Sequence, residues 1–182
     1  MMMRGRWAAG IKPKDFRWII ADHLAVCERP GGYGSSHRKI RRQEEILWLK
    51  ANGFTRIVSI MPTEHNLHAY EEFHVPYEHL PIPKNADLKL YLPALYRSFR
   101  DAVENGERIM VHCEEVTDYL ISIVGGFLLW AKLLENGPQT VTLLEKLSEQ
   151  TFGNVGRTVI TNVLAIEPID RPFHIRRTSL FK

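Results

Sequence analysis

Cys113 is the residue whose type and surroundings point most clearly to chemistry. His112 and Cys113 stand between a β-rich stretch, 107–112, and an apolar helical stretch that begins near residue 118. The thiol is therefore predicted to lie where a strand ends and a helix begins. Backbone N–H groups and the helix dipole at such a junction favour an anion, either the thiolate itself or a bound phosphate.

Acidic residues surround this thiol. Glu114, Glu115 and Asp118 all lie within five residues of Cys113. Carboxylates close to a thiol raise its pKa and repel a phosphate dianion. The opposing benefit of the helix dipole is under ~1 kcal/mol and is screened by salt. One carboxylate that points toward the thiol would thus outweigh the dipole.

A basic cluster at 37–42 follows a glycine-containing loop, 29–36, and begins a predicted helix. Arg38, Lys39 and Arg42 are candidates for binding phosphate, polyphosphate or an acidic partner, because exposed amides at a helix N-terminus add to their charge. The alternative is that the arginines at 41 and 42 form ion pairs with the two glutamates three and four residues further along a solvated helix face.

The elements that must position these residues alternate between strands and helices. The patterns predict strands at 16–20, 24–27, 55–61, 75–82 and 107–112, and helices at 38–51, 63–70, 91–103, 118–134, 139–149 and 157–166. The first two strands are predicted to form a hairpin. Thr63 is a candidate helix cap, Gly53 a helix terminator and Pro138 a first-turn residue. This order predicts an α/β fold with a mostly parallel central sheet flanked by helices.

Length and composition favour one globular domain. We expect an N-terminal extension at 1–15, a domain at 16–166 and a basic C-terminal tail at 167–182 that contains Arg176 and Arg177. The net charge of +3 is too small to indicate nucleic acid as a partner. The apolar stretch 119–134 is shorter than the ~20 residues of a membrane span, so a buried helix is expected and no membrane partner.

The two cysteines and the histidines give no sign of a disulfide framework, a metal site or a cofactor. Cys27 and Cys113 suit a reducing cytosol, and no signal peptide is visible, so a cytoplasmic location is expected. A regulatory disulfide between them would require adjacent, facing positions. His65 and His68 have i,i+3 spacing, but no cysteine pair accompanies them, and no metal ligation is predicted.

The strand–His112–Cys113–helix pattern and the order of elements resemble the dual-specificity class of cysteine-dependent phosphatases over about residues 16–166. The loop of that family reads His-Cys, two residues, Gly, two residues, Arg. This chain has Val116 at the glycine position and Tyr119 at the arginine position. The resemblance implies that Cys113 is the nucleophile, whereas Tyr119 lacks the planar charged fork that holds two phosphate oxygens.

The resemblance also implies an aspartic acid that protonates the leaving oxygen, shortly after a Pro-Ile-Pro-like turn. In this chain Lys84 follows the turn at 81–83, and Asp87 is the candidate substitute. Arg157, near the start of the last predicted helix, is the candidate replacement cation. The alternative for Arg157 is a solvated residue in a helical first turn.

These substitutions predict a catalytically impaired phosphatase-like protein, a pseudophosphatase, which binds a phosphorylated or anionic ligand or a protein. The enzymatic alternative is a divergent active phosphatase with Cys113 as nucleophile, Asp87 as acid, and Arg157 or Arg38 as the cation. A third hypothesis is thiol chemistry unrelated to phosphate, which the acidic loop would tolerate better.

Overall fold

A computed structural model describes residues 10–175. Its five-stranded sheet has the order β1-β2-β5-β3-β4. The strands are β1 (Arg17–Ile20), β2 (Leu24–Glu28), β3 (Arg56–Ser59), β4 (Tyr77–His79) and β5 (Ile109–Cys113). β1 and β2 form the predicted antiparallel hairpin, and all other neighbours are parallel. The predicted α/β class with a mostly parallel sheet is therefore confirmed.

Within residues 10–175, six α-helices cover the two faces of this sheet. They are α1 (Lys39–Ala51), α2 (His68–Glu72), α3 (Leu88–Glu104), α4 (Asp118–Trp130), α5 (Gly137–Ser148) and α6 (Asn154–Leu164). Gly53 follows α1 with a φ of +75°, and Pro138 lies in the first turn of α5, as predicted. The proposed cap at Thr63 is wrong, because α2 begins only at His68 after a turn.

The other differences from the predicted elements lie at their ends. α3 begins at Leu88, three residues earlier than expected, because Asp87 caps it by accepting a hydrogen bond from the Lys89 N–H. The strand predicted at 75–82 is reduced to β4. Prolines at 76 and 81 flank β4, and proline cannot donate a ladder hydrogen bond, so the strand is short.

Apolar side chains form one core on each face of the sheet. The smaller core lies under α1 and α2, and the larger one lies between the sheet and α3 to α6. α4 is the central helix, with every residue from Leu120 to Trp130 buried, which confirms the expectation of a buried helix. Tyr96 of α3 donates a 2.7 Å hydrogen bond to the Ile123 carbonyl and thereby fixes α3 against α4.

Segments outside 16–166 also pack against the domain. On the N-terminal side, the Ile11 N–H donates to the Glu44 carbonyl at 3.1 Å. On the C-terminal side, the Trp130 indole N–H donates to the Glu167 carbonyl at 2.9 Å. Arg171 forms two hydrogen bonds with the Glu104 carboxylate. Residues 10–15 and 167–175 are thus held to the domain, whereas Arg176 and Arg177 lie outside the described residues.

Candidate functional site

Cys113 is the last residue of β5, the central strand of the sheet. Its carbonyl accepts a 3.0 Å hydrogen bond from the Arg29 N–H, and the His112 carbonyl accepts a 3.2 Å bond from the Ile60 N–H. Bonds to both neighbouring strands hold the strand end in place. The chain then crosses residues 114–117 and enters α4 at Asp118, so the predicted strand–thiol–helix junction is present.

A cavity of about 500 Å³ opens beside Cys113. Its lining is mostly apolar, and Lys84 is the one basic side chain among the described residues that line it. The lining residues are Ile60, Pro62, Thr63, Ile82, Lys84, Asn85, Cys113, Glu114, Tyr119 and Val155. A mostly apolar cavity with a single ammonium group is a poor match for a phosphate dianion.

The environment of Cys113 favours the neutral thiol. Burial raises the pKa of the Cys113 thiol, and the Glu114 carboxylate adds to this increase. A hydrogen bond from the Glu114 backbone N–H opposes both effects but does not reverse them. Because the thiolate is the nucleophilic form, the reactivity of Cys113 at neutral pH is lowered.

The two substituted loop positions do not form a phosphate cradle. Val116 is buried in the larger core, with 8% of its surface exposed. Among the described residues, none from Glu114 to Thr117 has a positive φ, so the loop lacks the left-handed turn that glycine permits. Tyr119 lines the cavity, and burial raises the pKa of its phenol, with a further contribution from nearby Cys113. Tyr119 is therefore uncharged and forms part of the cavity wall.

The carboxylates of the loop point in different directions. Glu114 lines the cavity, where its carboxylate can repel a phosphate dianion, as predicted for a carboxylate that points toward the thiol. Glu115 is exposed. Asp118 instead accepts hydrogen bonds from the Gly153 N–H at 3.0 Å and the Gly156 N–H at 3.1 Å. It caps the N-terminus of α6 from the first turn of α4. Sequence reasoning missed this contact, for which the paired glycines at 153 and 156 were the available signal.

The structure does not bring the two candidate substitutes into the cavity lining. Asp87 is exposed and its carboxylate caps α3. Arg157 donates to the Phe152 carbonyl at 3.2 Å and forms a 3.2 Å ion pair with Glu145. Neither residue lines the 500 Å³ cavity. The roles of Asp87 as acid and Arg157 as cation remain predictions to which this geometry adds no support.

The basic residues at the start of α1 are also separated. Arg38 is exposed and donates to the carbonyls of Ser35 and His37, and Lys39 is exposed. Arg42 is buried and contacts the His37 Nε2 at 3.2 Å. The predicted i,i+4 pairing occurs at Arg41, which bonds Glu45 and also Glu28. These residues do not form one exposed anion-binding surface.

His112 and Cys113 face opposite sides of the sheet. The His112 ring lies near Tyr70 on the α1/α2 side, whereas Cys113 packs against the larger core. Cys27 belongs to the smaller core, and both cysteines are free, so they do not form a disulfide. No group of three or more metal-ligating side chains is found within residues 10–175. In the same residues, no helix is long and apolar enough to cross a membrane.

Several solved protein structures superpose on this chain over most of their length. A kinase-associated phosphatase whose catalytic cysteine is replaced by serine superposes with a TM-score of 0.68 at 15% identity, over 82% of this chain and 93% of that one. The chain has the dual-specificity phosphatase fold. Human DUSP28 matches with a TM-score of 0.61 at 13% identity, over 85% of this chain and 95% of that one.

A third solved structure with this fold is the catalytic core of the PP-IP phosphatase Siw14 from S. cerevisiae. It has a TM-score of 0.60 at 10% identity, and the match covers 84% of this chain and 86% of the Siw14 core. No family model and no curated protein sequence matches the chain. The likeness is therefore one of fold, and Cys113 occupies the strand–helix junction in this phosphatase-like fold.

Proposed function

We propose that this chain is a pseudophosphatase, which binds a ligand in the cavity beside Cys113 and does not turn over phosphate esters. The observation that carries the proposal is the lining of that cavity. Tyr119 and Glu114 lie next to the thiol, where a phosphate dianion would require positive charge. Loss of a bidentate arginine removes about two charge-assisted hydrogen bonds, each roughly 1.5–3 kcal/mol.

Two further features support the loss of turnover. The pKa of the Cys113 thiol is raised, so the nucleophilic thiolate is scarce at neutral pH. No aspartate lines the cavity, and the described lining offers Lys84 and Asn85 on the segment where the acid was expected. By analogy with arginine fingers in phosphoryl transfer, absence of the arginine alone lowers the rate by on the order of 10³–10⁵.

The sequence predicts a phosphorylated ligand, another anionic ligand or a protein as the partner. The residues that line the cavity favour some of these ligands over others. Side chains such as Ile60, Ile82 and Val155 favour an aromatic or aliphatic group. Lys84 favours a head group with one negative charge. The Siw14 core was solved in complex with citrate, so an anion has been observed with this fold. We propose an apolar group with a singly charged head, on a small molecule or a protein side chain, in a cytoplasmic protein.

Catalysis is tested by incubating the protein with p-nitrophenyl phosphate and comparing wild type with Cys113→Ser. We expect no turnover above the Cys113→Ser background. Turnover that disappears in Cys113→Ser would overturn the pseudophosphatase proposal.

Binding is tested by competition of 2-naphthalenesulfonate and 2-naphthyl phosphate against a fluorescent anilinonaphthalene sulfonate probe. We expect the singly charged sulfonate to compete better than the doubly charged phosphate. Val155→Asp should weaken probe binding, whereas Ile40→Asp, which is exposed on α1 and does not line the cavity, should not. Preferential binding of the phosphate ester would contradict the proposed ligand class.

The divergent active phosphatase remains the second candidate because one observation favours it. Cys113 lines the cavity and receives a hydrogen bond from the Glu114 N–H, which stabilises a thiolate. An active enzyme would bind naphthyl phosphate more tightly than the sulfonate and would lose turnover with Cys113→Ser. The same two assays therefore separate the candidates.

A further inference from the structure

A second, much smaller cavity lies on the opposite face of the sheet, between the end of β5 and the start of α1. Its volume is about 10 Å³, which is close to the space needed by one water-sized particle. Arg29, Arg42, His65 and His112 contribute to its lining, together with Tyr70. The cavity does not include Cys113, and it is not needed for the function proposed above.

The two arginines at this cavity are buried. Arg29 is 7% exposed and Arg42 is 6% exposed. One Arg42 nitrogen contacts the His37 Nε2, a neutral acceptor, while the Arg42 Nε has no hydrogen-bond partner among the described residues. His112, which is 1% exposed, has no partner within residues 10–175 for either ring nitrogen. Arg42 and His112, which both line this small space, thus carry buried polar atoms without hydrogen-bond partners among the described residues.

No carboxylate neutralises this pair of charges at contact distance. Within residues 10–175, neither Arg29 nor Arg42 forms an ion pair with an aspartate or glutamate. All 21 acidic side chains of the sequence lie in that same range, so residues 1–9 and 176–182 contain no aspartate or glutamate. Glu114 favours the protonated form of Arg29 only through a longer-range interaction. Buried cations without counter-charge are strongly disfavoured.

The neighbouring histidines respond to this positive charge. Burial, and then the charge of Arg29, lowers the pKa of His112 to about 3, so the ring is neutral at physiological pH. Burial and the charges of Arg42 and Arg29 also lower the pKa of His37. A water molecule in the cavity would satisfy hydrogen bonds but would leave the excess charge. An anion would accept the hydrogen bonds and would also balance the positive charge.

We propose that this cavity binds one small monovalent anion of halide size, held between Arg29, Arg42 and His112. The cavity has room for about one particle of roughly water size; a halide is a single atom only slightly larger than water, whereas phosphate and sulfate carry four oxygens around a central atom. The backbone N–H of Arg29 also donates a hydrogen bond to the Cys113 carbonyl. An anion bound to Arg29 therefore stabilises the end of β5 from the face of the sheet opposite the Cys113 side chain. Chloride is the abundant anion of this size.

The direct test is diffraction from crystals of the full chain grown with sodium bromide, at the bromine absorption edge. We expect an anomalous peak within hydrogen-bond distance of the Arg42 Nε and a His112 ring nitrogen. Ordinary water density at that position with no anomalous signal would overturn the proposal. This outcome is independent of the p-nitrophenyl phosphate result.

A solution test uses the thermal midpoint in 300 mM sodium chloride and in 300 mM sodium gluconate. If chloride binds with a Kd near ~10 mM, the wild-type midpoint is higher in chloride by about 4–8 °C. The Arg42→Met variant should lose this difference, whereas Arg97→Met, which removes the same charge from an exposed site, should retain it. An equal chloride effect in both variants contradicts the site. Should Arg42→Met fail to fold, the bromide crystal decides.

Discussion

Removal of the Asp118 carboxylate is expected to destabilise the domain by releasing α6 from α4. Its Oδ2 accepts hydrogen bonds from the Gly153 and Gly156 N–H groups, at 3.0 and 3.1 Å. Two charge-assisted bonds would contribute about 3–6 kcal/mol if each reached its full value. The carboxylate is only partly buried, and amides at a helix end can bind water instead. Losses measured at N-caps, about 0.5–2 kcal/mol, are therefore the better guide.

We expect the free energy of unfolding of Asp118→Ala to fall by about 0.8–3 kcal/mol, which combines the cap with the smaller effect of losing an acidic residue in the first turn of α4. The thermal midpoint should fall by about 2–12 °C for a chain of this size. Asp118→Asn keeps an oxygen acceptor and loses only the charge, so its loss should be about half as large. Glu115→Ala, an exposed neighbour in the same loop, should change stability by less than about 0.5 kcal/mol.

Urea unfolding followed by circular dichroism gives the free energies, and amide hydrogen exchange at Gly156 reports the contact itself. Exchange at Gly156 should accelerate in Asp118→Ala and remain slow in Glu115→Ala. If Asp118→Ala and Glu115→Ala lose the same stability and Gly156 exchanges at one rate in both, Asp118 does not cap α6.

Two further predictions follow from pKa shifts. Because the pKa of Cys113 is raised, iodoacetamide should alkylate this thiol more slowly than a free thiol at pH 7.5. Mass spectrometry should show a faster alkylation rate in Glu114→Gln. Alkylation of wild type faster than that of glutathione would contradict the burial argument. Arg171 lowers the pKa of Glu104, so the stability from this pair is present above the ordinary carboxyl pKa of 4.5 and is lost as the pH falls through the lowered value. The difference in thermal midpoint between wild type and Arg171→Ala should therefore be largest near neutral pH and vanish at strongly acidic pH. A difference that persists in acid would show that the Arg171 side chain acts by packing and not by its charge.

The sequence predicted the framework of the site because that framework depends on short-range patterns. The alternation of strands and helices, and the apolar stretch after Cys113, reported the junction of β5 and α4 directly. The loop departures at Val116 and Tyr119 could be located by counting from Cys113. Each of these inferences needs only residues that are near one another in the chain.

Contacts between distant segments could not be predicted in this way. Asp118 and the amides that it caps are 35 and 38 residues apart. The direction of Arg42 depends on which face of α1 packs against the sheet, which a basic cluster alone does not reveal. The position of Asp87 after the proline turn makes it a candidate acid, but its carboxylate accepts a hydrogen bond from the first turn of α3.

The burial of Val116 makes a glycine at this loop position costly for the stability of the domain. Its side chain is part of the larger core, so replacement by glycine would remove apolar contacts and leave a void. Such a change would cost about 2–4 kcal/mol, a large part of the 5–15 kcal/mol that typically stabilises a domain. An arginine at position 119 without the glycine would lack the inward-facing amides that share a phosphate. For the pseudophosphatase proposed above, a gain of catalysis would therefore require at least two coupled substitutions, the first of which weakens the protein before any activity is gained.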